Sequence, residues 1–119
     1  MIDGHALEGL VFQQILAWKD YTIQKHSLHF WRTRSGVEVD FVVLGPLGFW
    51  AIEVKNSAHV HPADLSSLKA FMSDYPGAAG LFLYRGKERM RLKNVLCLPV
   101  EDFLKALTPN TRLDHDFFL

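Results

Sequence analysis

Apolar residues recur at helical spacing near the start of the chain. Leu7, Leu10, Val11, Ile15 and Trp18 share one face of a segment running from about Asp3 to Lys19. Asp3 is placed to cap its start, because a short carboxylate accepts from the unsatisfied first-turn N–H groups. After Lys19-Asp20 the pattern shortens to strand-like runs: LHFWR (Leu28 to Arg32), Val37 to Leu44, and Phe49 to Lys55. Gly45-Pro46-Leu47-Gly48 reads as a turn between the second and third. Strict alternation sets Val37, Val39, Phe41 and Val43 on one face of the second strand. It sets Glu38, Asp40, Val42 and Leu44 on the other. In the third strand Glu53 and Lys55 share a side, opposite Ile52 and Val54.

Pro62 suits the first turn of a second helix, whose stripe is Leu65, Leu68, Phe71 and Met72 and which ends before Pro76-Gly77. Ala79 to Arg85 reads as a buried strand, Arg85 to Glu88 as a turn, and Val95 to Leu98 as a further strand. Pro99 opens a last helix through Leu107, and residues 108–119 read as an irregular tail. The predicted order is α-β-β-β-α-β-β-α. It describes one α/β domain spanning residues 1–119, with a mixed sheet flanked by helices.

Composition narrows this picture. A chain of 119 residues is the size of one domain with one core, and 49% apolar with 22% charged residues is ordinary for a globular protein. The single cysteine, Cys97 in an apolar run, excludes an internal disulfide and a cysteine-built zinc site, and it fits a reducing cytoplasm. No apolar run approaches the roughly 20 residues of a membrane helix, and no secretory signal opens the chain, so no membrane partner is expected. Thirteen basic residues balance thirteen acidic ones. A nucleic-acid binder usually carries a basic excess, so affinity for DNA or RNA must come from a local patch, a metal or a partner.

Asp and Glu are poor strand formers, yet Asp40 and Glu53 sit inside apolar strands. Carboxylates taken partly out of water need a partner, and a cation is one. Two carboxylates and a backbone carbonyl are enough for Mg²⁺ or Mn²⁺, which keep several waters. Lys55 could then orient a water, and Glu8 could complete the site from the first helix. The alternative is a solvated strand face with a surface ion pair, worth at most about 1 kcal/mol.

The pattern resembles the PD-(D/E)XK nuclease superfamily, whose core is a helix, a three-stranded meander, a helix and a further strand. Asp40 matches its signature acid and Glu53-Val54-Lys55 its E-x-K, while Val39 stands where the proline of the family name would be. GHALEGLVFQQIL, FWRTRSGVEVDFVV, IEVKNS and DLSSLKAFMSDYP are most similar to one subgroup. That subgroup is the domain of unknown function at the C-terminus of many prokaryotic AAA-type ATPases, and the similarity runs from Gly4 to about Leu104. The resemblance implies a restriction-endonuclease-like fold and Mg²⁺- or Mn²⁺-dependent hydrolysis of nucleic-acid phosphodiesters. It places the metal on Asp40, Glu53 and the Val54 carbonyl, with Lys55 positioning water and Glu8 assisting. It also implies an AAA-type ATPase or a second copy of the chain as a partner. No G-x-x-x-x-G-K-S/T phosphate loop is present, so the chain itself is not expected to hydrolyse ATP. The competing reading is a catalytically silent module that keeps the fold to bind a protein or DNA.

A basic series, Arg85, Lys87, Arg89, Arg91 and Lys93, alternates along an expected hairpin between the last two strands. On one face it forms either a phosphate-binding stripe or a charged edge that resists aggregation. Arg32 and Arg34 could add to such a surface, or Arg32 could pair with Glu38. His59-x-His61, His26 and His29 offer imidazoles that either bind a metal or face solvent. Trp18, Trp31 and Trp50 are expected in the core.

Overall fold

The computed structural model describes residues 3–115. Helix α1 (Gly4–Tyr21) starts where the cap predicts, with the Asp3 carboxylate accepting from Ala6 N–H at 2.8 Å. Strands β1 (Ser27–Arg32), β2 (Glu38–Gly45) and β3 (Gly48–Val54) form an antiparallel meander. A 3-10 turn over Pro62–Leu65 leads into α2 (Ser66–Asp74), which carries the chain across to β4 (Ala79–Tyr84), parallel to β3. Then follow β5 (Met90–Leu92), β6 (Val95–Pro99) and α3 (Val100–Ala106). The six-stranded mixed sheet has the order β1-β2-β3-β4-β6-β5.

The element order follows the expectation except for β5, which the sequence pattern missed. Its three residues are too few to show a period. The last two expected strands, β4 and β6, are parallel neighbours. The hairpin lies instead between β5 and β6, closed by Lys93 and Asn94, both with positive φ (48° and 70°). Two such residues make the tight turn whose twist matches the strands it joins.

Two apolar layers cover the sheet. On one face, Leu7, Val11, Ile15 and Trp18 of α1 and Val100 and Phe103 of α3 pack on Phe41, Val43, Trp50, Ile52, Leu81 and Leu98. On the other, Leu65, Leu68 and Phe71 of α2 pack on Val39, Val42, Ala51, Phe82 and Cys97. Cys97 is fully buried, as expected of a structural thiol.

Val39 is the exception to the predicted alternation. It lies in the α2 layer, whereas Phe41 and Val43 lie in the α1 layer. The cause is a register shift: Leu28 and His29 pair with Val43 and Val42, but Trp31 and Arg32 pair with Val39 and Glu38. Asp40 and Phe41 together therefore oppose the single residue Phe30. A β-bulge of this kind reverses which side chains face which layer and increases the local twist.

Residues 108–114 of the tail form turns and irregular backbone, and up to residue 115 the tail is packed; residues 116–119 lie outside the described part. The Trp18 indole donates to the carbonyls of Thr108 and Thr111 at 3.1 and 3.0 Å. Leu113 is buried, and the Arg112 guanidinium lies 5.3 Å from the Trp50 ring centre while donating to Leu47 O. His26 is buried beside Trp18. Its Nε2 accepts from Leu47 N–H and its Nδ1 lies 2.8 Å from Gln24 O, so it clamps the β2–β3 turn and has no nitrogen free for a metal. Among the described residues no helix is long and apolar enough to cross a membrane.

Candidate metal centre at the bulge of strand β2

The meander comes apart at the bulge. The β2–β3 ladder ends at Phe41 and Ile52, but β3 stays paired with β4 through Val54, and Lys55 N–H still donates to Leu83 O at 2.9 Å. Val54 N–H therefore points at the place β2 has left. The Asp40 carboxylate fills it, accepting from Val54 N–H at 2.8 Å. Within a strand the N–H and C=O of one residue leave on the same edge, so the Val54 carbonyl also faces Asp40.

Glu53 and Lys55 project to the α2 side as alternation requires. With Asp40, Val54, Asp64 and Ser67 they line a cleft of about 390 Å³. Glu53 makes no hydrogen bond or ion pair among the described residues. Burial, then the charges of Asp40, Asp64 and Glu38, push its carboxyl from an ordinary 4.5 up to about 8, and Lys55 only partly offsets them. Asp40 is raised to about 6 by burial. Its bond from Val54 N–H opposes the rise, while Glu8 and Glu38 add to it. Burial and the neighbouring acids thus raise the cost of ionising both carboxyls.

Lys55 is not aimed freely into the cleft. Its ammonium bonds the Asp64 carboxylate at 2.5 Å, and Asp64 also accepts from His61 N–H at 2.9 Å. Burial works against the Asp64 charge, but these bonds and the nearby positive charges hold its pKa below the usual range. Asp64 is the functional candidate that the sequence reading missed. The available signal was an acid placed two residues after the helix-opening Pro62, where it caps the chain entering the turn.

Glu8 is half-buried on α1 and lines a neighbouring cleft of about 280 Å³ with Phe30, Arg32, Glu38 and Asp40. It reaches Asp40 electrostatically. Among the described residues, however, no three His, Cys, Asp or Glu side chains are grouped to hold an ion, so Glu8 does not join Asp40 and Glu53 in one cage. The available donors are two carboxylates and a carbonyl, all hard oxygens. That set suits Mg²⁺ or Mn²⁺ completed by water.

The other candidates separate. Arg32 pairs with Glu38. Of the basic series only Arg91 lies within β5. Arg85 and Lys87 sit in the bend after β4 and line a cleft of about 290 Å³ with Leu7, Tyr84, Pro99 and Glu101. Arg89 bonds Asp102 of α3 at 2.9 Å, and Lys93 lies in the turn before β6. They are not one alternating stripe along a hairpin, because β4 and β6 run parallel. His29, His59 and His61 are exposed.

Searches of curated proteins and of solved structures return no match. The family model described as a domain of unknown function, DUF4143, matches residues 3–103, which include every side chain of the cleft. The chain belongs to the DUF4143 family.

Proposed function

We propose that this domain is a metal-dependent phosphodiesterase of the PD-(D/E)XK nuclease type, acting on nucleic acid with Mg²⁺ or Mn²⁺. One observation carries the reading. Asp40 and Glu53, both half-buried and both raised in pKa, flank the edge of Val54 at the point where a bulge interrupts the sheet. A fold that gained nothing from these charges would lose stability by keeping them there. Asp40, Glu53 and the Val54 carbonyl would hold the ion. When bound, it would stabilise charge on a phosphate and lower the pKa of a water.

The residues themselves divide the remaining work. Asp40 spends one oxygen on Val54 N–H, which fixes its rotamer and leaves the other oxygen to ligate. Glu53 makes no hydrogen bond among the described residues, so once a bound cation favours its ionised form either oxygen can ligate. Lys55 is a fixed positive charge at the rim, oriented by Asp64, where it can bind a phosphate oxygen or water. Glu8, on the far side of Asp40, raises the local negative potential and favours cation entry.

The test is calorimetric titration of Mg²⁺ and Mn²⁺ into the wild type and the Asp40→Ala, Glu53→Ala double variant, followed by a screen of DNA and RNA substrates. Binding lost in the variant is the expected result. No binding at millimolar metal with the fold intact would refute the metal site and leave the silent, partner-binding module as the reading.

A further inference from the structure

Phe30 is 71% exposed, yet its ring packs against two others. It stacks on Phe12 of α1 with ring centres 5.7 Å apart and planes at 26°, and it tilts against Phe41 at 6.0 Å. Phe12 and Phe41 in turn contact each other at 5.8 Å. Phe12 thus backs one face of the Phe30 ring, Phe41 lies against it at a tilt, and most of the residue faces solvent. Phe30 is also the residue opposite the Asp40–Phe41 bulge, and it lines the same cleft as Asp40 and Glu8. The distortion that aims Asp40 therefore sets this ring beside Asp40 and Glu8.

We infer that Phe30 is a stacking platform for the base of an unpaired nucleotide whose phosphate lies at the Asp40–Glu53 centre. The inference rests on the proposed phosphodiesterase reading and names its substrate class: single-stranded nucleic acid or a frayed strand end. Two observations favour this over a duplex. The chain has no net charge, and the two adjoining clefts that share Glu38 and Asp40 add Glu8 on the Phe30 side and Glu53 on the other, with Arg32 committed to Glu38. Little counterion-release affinity is then available for a duplex backbone. A duplex also buries its base faces, so an aromatic wall can engage only a base that has left the stack. Stacking works for any base, because every base has a π face.

The experiment measures equilibrium binding by anisotropy, in Ca²⁺, of short single-stranded DNA and RNA and of a blunt DNA duplex. A 2-aminopurine base reports stacking by its fluorescence. Phe30→Leu keeps an apolar contact with Phe12 but removes the π face, and Phe30→Trp keeps it. Single strands are expected to bind Phe30→Leu about 5- to 150-fold more weakly than wild type, the equivalent of about 1–3 kcal/mol for one stacked base. Phe30→Trp should match wild type, 2-aminopurine quenching should vanish only in Phe30→Leu, and duplex binding should be unchanged. The DNA and RNA arms show which sugar the site accepts. Equal single-strand affinity in wild type and Phe30→Leu, or no single-strand binding by wild type, overturns the inference. The latter outcome would point to a protein as the occupant of the ring. Phe30-dependent binding with no cleavage in Mg²⁺ or Mn²⁺ would sustain the platform and refute hydrolysis. Cleavage with Phe30→Leu unaltered in affinity and KM would do the reverse.

Discussion

Replacing Glu53 by Gln removes one charge from the cleft while keeping the shape of the side chain. In the wild type the Glu53 carboxyl is raised from 4.5 to about 8, chiefly by burial and then by Asp40. Between these values the folded state holds a proton that the unfolded chain has released, so stability falls as pH rises through the window. Below about pH 4.5 the penalty is absent, and above about pH 8 it is complete. The interval corresponds to at most about 5 kcal/mol. The cleft is open to water, which screens the charge, and a cost of about 1–3 kcal/mol is expected. Glu53→Gln without metal should therefore melt about 5–15 °C above wild type on the alkaline side of the window, and at nearly the same temperature on the acid side. Millimolar Mg²⁺ or Mn²⁺ should reverse the order, because an ion that binds only the folded wild type adds about 3 kcal/mol at a hundredfold excess over Kd. Scanning calorimetry of both proteins at the two pH extremes, with and without metal, reads all of these melting temperatures. A variant destabilised equally at both extremes, or raised by metal as much as wild type, would refute the argument that Glu53 is an unrelieved buried charge awaiting a cation.

Other consequences concern its neighbours. Asp40→Asn should lose metal binding by titration calorimetry but keep its fold, since an amide oxygen still accepts from Val54 N–H; Asp40→Ala should cost about 1–3 kcal/mol by leaving that N–H unpaired. Asp64→Ala should free Lys55, lowering kcat on a phosphodiester substrate while the Mg²⁺ Kd measured by calorimetry holds. Because the folded-state pKa of Asp64 is depressed, its contribution to stability is present above the ordinary aspartate value and lost as pH falls through the lower folded one. An acid melt of Asp64→Ala against wild type should show this difference shrinking in that range. His26→Ala should destabilise by about 2–4 kcal/mol in urea unfolding, through two lost hydrogen bonds and the lost contact with Trp18, without altering metal binding.

Much of this molecule follows from short-range pattern. The helical stripe from Leu7 to Trp18, the turn at Pro46-Leu47 and the common side of Glu53 and Lys55 depend only on residue type and the period of a helix or strand. Each was therefore readable without the fold, as was the pairing of an acid-bearing second strand with the E-x-K strand. Three features needed the tertiary structure. The bulge at Asp40 and Phe41 is set by how β1 pairs, and it moved Val39 to the opposite layer from the one alternation assigns. The Asp64 carboxylate reaches Lys55 only because the connection from β3 to α2 folds back over the strand end, so the partner of the lysine lies nine residues away. The tail from Thr108 has no period to read, yet Thr108, Thr111 and Arg112 are bound by the Trp18 indole and the Leu47 carbonyl, groups that are distant in the chain. Local pattern specifies which groups a segment offers. Whether two carboxylates end up side by side and half-buried is decided by strand register and by where the ladder breaks, and those are properties of the assembled sheet.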